Sequence, residues 1–504
     1  MAFSFFSKRK TKSAATVKAN FDIAQRGDDR RHWANADSFS LDGALTESVR
    51  QTIRKRARYE RLNNSYLAGI AETMGSDLIG TGPRLQLSAA SDELNREIES
   101  AFHRWSCEIS LASKLRTMRQ AKLIDGESFG LLFTNPIREG VQLDLRLIEA
   151  DQVATPLATV KNKNETPEGS LVDGLEFDQY GNVTAYQVLK NHPGSNYRNA
   201  TLDFLRVPSE NMFHWFNSIR PAQNRGLSEV APCLRLFADL RRYTGAVIAA
   251  AETAADFAAF IHSNSPAAEV DEVEAFSAME IEKRTLVTLP EGWNVSQLRA
   301  EQPTAQFGDF RRNIIGEIGR CLQIPYAIAA LDSSAHNYAS ARMDAQLYQV
   351  NIRVQREELE ETILDRLVKA WATEAMLSGV IPQRMPGVGE WRWSWVWDGK
   401  DHVDPVKEAN ATQVKLATHT TTLAAEYARQ GKNWETELEQ RSVEIKRMEE
   451  LGLFVDMSPE VNYGGDINEE EDKPQAEDAP VKKVAKKKAT KKKTTKKKVA
   501  TKKE

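Results

Sequence analysis

Thirteen lysines crowd into residues 481–504 of this 504-residue chain, against a single glutamate. Set in groups of two and three, they can neutralise phosphates and release counterions, which gives a large, steeply salt-dependent attraction to DNA or RNA. A solubilising tail with no defined task is the plainer alternative. Four tryptophans, Trp391, Trp393, Trp395 and Trp397, recur at alternate positions, which places them on one face of a strand. Such a face stacks on nucleic-acid bases or packs as a hydrophobic surface against neighbouring helices. Glu127, in the segment DGESF, stands just before an apparent strand and has the chemistry of a general acid or base. One acid without a partner in the sequence is more simply structural.

Other chemistry is missing from the text of the chain. No Gly-x-x-x-x-Gly-Lys-Ser/Thr phosphate loop occurs, and no Gly-x-Gly-x-x-Gly follows a strand. There is no His-Glu-x-x-His, no Gly-x-Ser-x-Gly nucleophile elbow, and the eight histidines are scattered singly. The three cysteines, Cys107, Cys233 and Cys321, are odd in number, far apart and without zinc spacing, as expected of reduced thiols in a cytosolic setting. The expectation is a structural protein with no catalytic residue, no metal site and no cofactor.

The elements that must carry these residues follow from length, charge and periodicity. The chain is long enough for two or three cored domains. The N-terminus puts its charge after a short aromatic run, the wrong order for a secretory signal, and no stretch is apolar enough to span a membrane. The net charge of −3 conceals an asymmetry, because removing residues 481–504 from 68 basic and 71 acidic residues leaves a body near −15. An acidic body with a cationic tail is two electrostatic objects on one chain.

Residues 1–40 are polar, basic and aperiodic, an arm. Helical patterning begins near Leu45 and passes through the basic stretch IRKRARYERL. A second helix carries Leu67, Ile70, Ala71, Met74 and Leu78, capped by Asn64 or Ser65 and stopped at Gly80-Thr81-Gly82-Pro83. Another amphipathic helix carries Leu115, Met118 and Ala121. Strands follow at Val141–Leu147, at 175–177 and 183–188 around a Tyr180-Gly181-Asn182 turn, and at 213–216. Ser228 caps a long Ala-rich helix over 229–260. An acidic segment and a strand-like run (284–298) precede a helix over 307–321, which ends at Ile324-Pro325. A polar loop, 331–338, leads into a long helix reaching Trp371. Helical patterning resumes at Val406 and runs to about Leu453; beyond Val461 the composition is that of a disordered segment. No internal repeat argues for a solenoid.

Eight segments, in order, resemble the lambda-type family of tailed-phage portal proteins: RARYERLNNSYLAGIAETMGSDLIGTGPRLQ (56–86), LIDGESFGLLF (123–133), LRLIEADQVATP (145–156), GLEFDQYGNVTAYQVLKNHPG (174–194), RVPSENMFHWF (206–216), RPAQNRGLSEVAPCL (220–234), IPYAIAALDSSAHNYASAR (324–342) and VDPVKEANA (403–411). Each is weak alone; their order over about 45–450 is specific. The tail beyond Gly464 departs from the family pattern.

The resemblance implies an α+β, predominantly α-helical portal fold that forms a ring. Its parts are an N-terminal arm (1–40), a wing (41–225), a first stem helix (226–261), a small α/β clip (262–305) and a second stem helix (306–330). A tunnel loop (331–342), a tunnel helix with further wing (343–405) and a helical crown (406–460) complete it, and an acidic then Lys-rich tail (461–504) is added outside that pattern. The ring, a homo-oligomer of about twelve, stands at one capsid vertex of the virion and is assembled in the bacterial host cytoplasm. It is the channel for DNA packaging by terminase and for ejection, and the dock for head-completion and connector proteins, meeting major capsid or scaffolding protein. Asp332, Ser333, Ser334, His336, Asn337 and Tyr338 then face double-stranded DNA. Glu269, Asp271, Glu272, Glu274, Glu280 and Glu282 give the clip an acidic surface. Lys482, Lys483, Lys486, Lys487, Lys488, Lys491, Lys492, Lys493, Lys496, Lys497 and Lys498 touch DNA without sequence preference. No membrane is involved. Another head–tail connector ring, or a basic-tailed nucleic-acid-binding protein, is the alternative. An acidic body fits a low-friction channel, because a lumen rich in Lys and Arg grips phosphates.

Overall fold

A computed structural model describes residues 36–89, 91–156, 171–196, 203–256, 260–263, 293–296, 307–334, 337–382, 387–399 and 405–453. The chain divides into two compact units, 1–438 and 439–504. The fold is α+β with helices predominating.

Three helices open the described chain: α1 (Leu41–Ala44), α2 (Glu47–Asn63) and α3 (Ser65–Ile79). Asn64 caps α3 as its sequence predicts, its Oδ1 accepting from the backbone N–H of Tyr66 at 3.0 Å and of Leu67 at 3.4 Å. Leu67, Ile70, Ala71, Met74 and Leu78 are all buried. Strand β1 (Arg84–Leu87) is followed by α4 (Asp92–Glu108), a helix not anticipated although Ile98, Ala101, Phe102 and Trp105 are buried at helical spacing. Helix α5 (Leu111–Asp125) ends on Gly126, whose φ of +91° is left-handed and costs glycine little.

Two antiparallel sheets come next. β2 (Glu127–Thr134) lies between β3 (Leu143–Ile148) and β8 (Met212–Phe216). The first six residues of β2 are buried, so its sequence lacks the alternation that marks a half-exposed strand. The second sheet runs in order β4 (Leu171–Val172), β5 (Leu175–Phe177), β6 (Val183–Leu189), β7 (Phe204–Pro208). The β5–β6 hairpin turns where Tyr180-Gly181-Asn182 predicted, with Asp178 Oδ1 accepting from the backbone of Tyr180 and Asn182, each at 2.8 Å.

The long helix starts later than the sequence suggested. Ser228 does not cap it: its hydroxyl donates to the Leu123 carbonyl at 3.3 Å. A 3-10 turn containing Pro232 (Ala231–Cys233) intervenes, and α6 runs Leu234–Asp256. β9 (Phe260–Ser263) and β10 (Trp293–Ser296) then pair antiparallel, Ser263 opposite Trp293. Helix α7 (Phe307–Leu322) meets α6 where the Tyr243 ring stands edge-on to Phe310, 4.9 Å between centroids. Short α8 (Tyr326–Ala330) precedes α9 (Tyr338–Leu359), a π-helical turn (Glu360–Leu364) and α10 (Asp365–Leu377). Strand β11 (Trp393–Val396) returns to pair with β1, Arg84 opposite Val396. Helices α11 (Pro405–Ala417), α12 (Leu423–Arg429) and α13 (Trp434–Glu450) follow. No described helix is long and apolar enough to cross a membrane.

The main core gathers α3, α4, α5 and α10 with Trp391 and Trp397; a smaller cluster, including Phe129, Leu175, Tyr186 and Val207, lies between the sheets. Where α5 enters β2, two backbones touch: a Cβ on Gly226 comes 2.2 Å from the Gly126 carbonyl oxygen and 2.7 Å from Glu127 Cβ. Gly226→Ala is therefore expected to cost about 3 kcal/mol or more in urea unfolding. Gly245→Ala, in α6 with nothing within 4 Å of the new carbon, should stabilise by about 0.5–1 kcal/mol.

Candidate functional site

The loop between α8 and α9 carries the residues expected to face DNA. Leu331 closes α8 in a left-handed conformation, φ +50°. Asp332 is then fixed from three sides: Oδ1 accepts from the Ser334 N–H at 3.0 Å, Tyr326 Oη donates to Oδ2 at 3.4 Å, and Arg312 Nη2 stands 3.9 Å away. Hydrogen bonds from Ser334, then Tyr326 and the Arg312 charge, hold its carboxyl below the ordinary value. Asn337 caps α9, its Oδ1 accepting from the Ser340 N–H at 2.8 Å, with Ser340 bonding back. Asp332, Ser333 and Ser334 thus share one exposed turn and Asn337 anchors the next helix. Tyr338 is the first residue of α9. His336, the six clip acids (269–282) and the tail lysines (482–498) lie outside the described residues.

The larger concentration of charge was not anticipated. Glu127 is the first residue of β2 and has no exposed side-chain surface. Arg225 grips it with two prongs, Nη2 to Oε1 at 2.6 Å and Nε to Oε2 at 2.9 Å. The Gly226 N–H donates to Oε2 at 2.9 Å. The rest of the guanidinium donates to the carbonyls of Val153 (3.0 Å), Ala150 (3.2 Å) and Asp173. His214, stacked between Phe129 and Phe216 at 4.3 and 4.5 Å, completes the ring of donors, 3.2 Å from Oε2. Burial opposes charge on Glu127, yet Arg225 and His214 hold its carboxyl well below the usual range; burial lowers the imidazole's own pKa against the pull of Glu127.

Helix α2 extends this network. Arg50, Arg54 and Arg58, spaced four apart and so on one face, reach Asp173 (3.0 Å), Asp151 (2.7 Å) and Asp125 (2.7 and 2.8 Å) respectively. Of the five basic residues of IRKRARYERL, Arg54, Arg58 and Arg61, the last on Glu72, are thus in internal ion pairs rather than offered to phosphates. The only sequence sign was the four-residue spacing of its arginines. Glu149, Asp151 and His192 also converge, with His192 Nε2 at 3.4 and 3.7 Å from the two carboxylates. The donor set opposes a cation: Arg54 and Arg58 already occupy Asp151, and His192 Nδ1 accepts from the Gly194 N–H at 3.0 Å, which leaves the proton on Nε2.

The tryptophans pack rather than present a stacking face. Asp365 Oδ1 accepts from both Trp393 Nε1 (2.8 Å) and Trp395 Nε1 (2.9 Å), and Glu360 Oε1 from Trp397 Nε1 (2.6 Å). Arg356 lies over the Trp397 ring at 4.9 Å. Glu360 and Asp365 are five residues apart, and the π turn, whose bonds reach i+5, brings them to one side.

Three comparisons bear on this arrangement. The family described as phage portal protein, lambda family, matches residues 26–356. The probable portal protein of Halomonas phage phiHAP-1 is 25% identical over 475 residues, covering 87% of this chain and 88% of its own. Among solved structures, the virion of a native gene transfer agent particle aligns with TM-score 0.39 and 12% identity over 75% of this chain and 92% of its own. An HK97-family phage portal protein from Corynebacterium diphtheriae aligns with TM-score 0.26 and 12% identity, over 69% and 95%.

Removing the buried anion leaves Arg225 uncompensated, so Glu127→Ala should cost about 3–5 kcal/mol in urea unfolding. Acid acts through the carboxylates held low. Asp144, opposed by burial but bonded to Lys114, Asn135 and Arg138, is held down to about 2. Its stabilisation is present above the ordinary carboxylate range and is lost as pH falls through about 2. The urea midpoint of the native chain should therefore drop between pH 4 and pH 2, and Asp144→Asn, weaker at pH 7, should show the smaller drop.

Proposed function

This chain belongs to the lambda family of phage portal proteins, and from that membership we propose that it forms the ring at one capsid vertex through which DNA is packaged and ejected. The observation that carries the assignment of parts is the pair α6 and α7, touching at Tyr243 and Phe310, with the β9–β10 strand pair between them in sequence. That order supports α6 and α7 as the two stem helices and the segment between them as the clip. The loop of Asp332, Ser333 and Ser334 at the start of α9 is then the tunnel loop, and α11 to α13 belong to the crown.

Charge gives the mechanism. The body near −15 repels the duplex everywhere except where a cation is placed deliberately. Asp332, kept anionic by its neighbours, adds no grip at the loop. Arg50, Arg54 and Arg58 are spent on internal carboxylates. Inward force comes from a separate terminase docking on the clip, and head-completion proteins take the same place afterwards. Capsid or scaffolding protein surrounds the wing. The chain itself acts as conduit and dock, in the virion, with no catalytic step assigned to it. The lysines of 481–504 hold nearby DNA without sequence preference.

Negative-stain microscopy of the full chain should show a ring of about twelve copies with a central hole; a monomer or dimer overturns the proposal. Deleting residues 481–504 should leave the ring intact and lower the slope of log affinity for DNA against log salt by several units. An unchanged slope removes the tail from DNA binding.

A further inference from the structure

Helix α9 exposes a stripe that the described residues of one copy do not cover. Met343, Leu347 and Val354 are each 63% exposed and Val350 54%. At 3.6 residues per turn these four fall within an arc of about 60°. Tyr348, Ile352 and Leu359, on the opposite side, are buried in the core. Arg356 clamps the same helix by donating from Nε to the Leu78 carbonyl at 2.9 Å. With its inner side held this way, α9 cannot roll to hide its outer one. The stripe itself lacks charge; Ala339, Ser340 and Gln346 beside it are neutral, while exposed Arg342, Arg353 and Glu357 rim it with both signs.

We propose that this stripe is the seam along which a second copy of the chain packs, one copy against the next around the ring. The inference rests on the portal reading and deepens it. The four aliphatic side chains give phosphates nothing to bind, and an apolar centre inside a rim of mixed charge fits a protein neighbour better than DNA. Its size argues for a neighbour in a closed ring rather than for a pair. The four side chains expose on the order of 400 Å² of apolar surface, large enough to mark an interaction face. A stable pairwise interface takes about 800 Å² from each partner. A contact half that size holds poorly alone; in a ring every copy is gripped on two different faces, and closure adds the contacts together. The chain should therefore pass from monomer to ring without a populated dimer.

The test compares full-length native chain with the double variant Leu347→Glu/Val350→Glu, by native mass spectrometry and sedimentation velocity at matched concentrations. Glutamate keeps helix propensity high, so the change falls on the seam rather than on the helix. The native chain should assemble, and the double variant should remain monomeric with unchanged far-ultraviolet circular dichroism. Leu62→Glu, a control at an 85% exposed position of α2, should assemble normally, and Leu347→Met, which keeps the seam apolar, should also form rings. A double variant that assembles like the native chain overturns the seam. So does hydrogen-exchange protection of 343–354 that is equal in monomer and ring, because it assigns the covering to the same chain. If the native chain itself forms no ring, the portal reading fails first, and the two failures stay distinct. A double variant that loses its helical signal is replaced by Met343→Gln/Val354→Gln, read on the same two instruments with the same expected and overturning results.

Discussion

One buried ion pair fixes how α5, β2 and the segment leading to α6 meet. Glu127 and Arg225 lie at the crossing of α5, β2 and the segment leading to α6, and each satisfies the other while Arg225 also closes three backbone carbonyls. Such a pair contributes little net stability against an apolar replacement, since desolvation offsets most of the attraction. Its value is directional. A planar fork with five donors accepts only one arrangement of Val153, Ala150, Asp173 and Glu127 around it. That arrangement brings Gly226 against Gly126, a close approach of two backbones just ahead of the 3-10 turn and α6.

The sequence expressed the elements far better than it did the pairing between them. Helix α3 was legible in its apolar spacing, its Asn64 cap and its glycine stop, because all three signals are local. Helix α4 was passed over although Ile98, Phe102 and Trp105 carry the same period; its charged first turn reads as loop when taken alone. Pro232 delayed α6, and the sequence sign was there: a proline two residues into a helix is tolerated, but here it closes a 3-10 turn first. The pairing of β1 with β11 joins Arg84 to Val396, and no local signal encodes a partner so distant.

The candidate sites were legible in proportion to how local their chemistry is. Asn337 as a cap and Asp332 in a tight turn follow from residue type and position. The role of Glu127 was hidden because its partners, Arg225, His214 and Gly226, are about a hundred residues away or nearly so. Its neighbours in sequence could only show that it had none nearby. The tryptophan period was real, but period alone does not say whether a face meets solvent or carboxylates; Asp365 and Glu360 decide it. The stripe on α9 was visible as helical spacing, and burial alone separates its outer side from its inner one.

The β1–β11 pairing has a consequence for how the chain is made. β1 leaves the ribosome about 300 residues before β11, and at roughly 5–20 residues per second its edge waits on the order of tens of seconds for its partner. During that interval Leu85 and Leu87, buried in the finished protein, have no strand beside them. Helices α2 and α3 are made before it and α4 directly after it, and in the finished protein Glu99 of α4 accepts from the Leu87 N–H at 2.6 Å. The helix that the sequence concealed best is thus among the elements on hand to cover β1 through that wait.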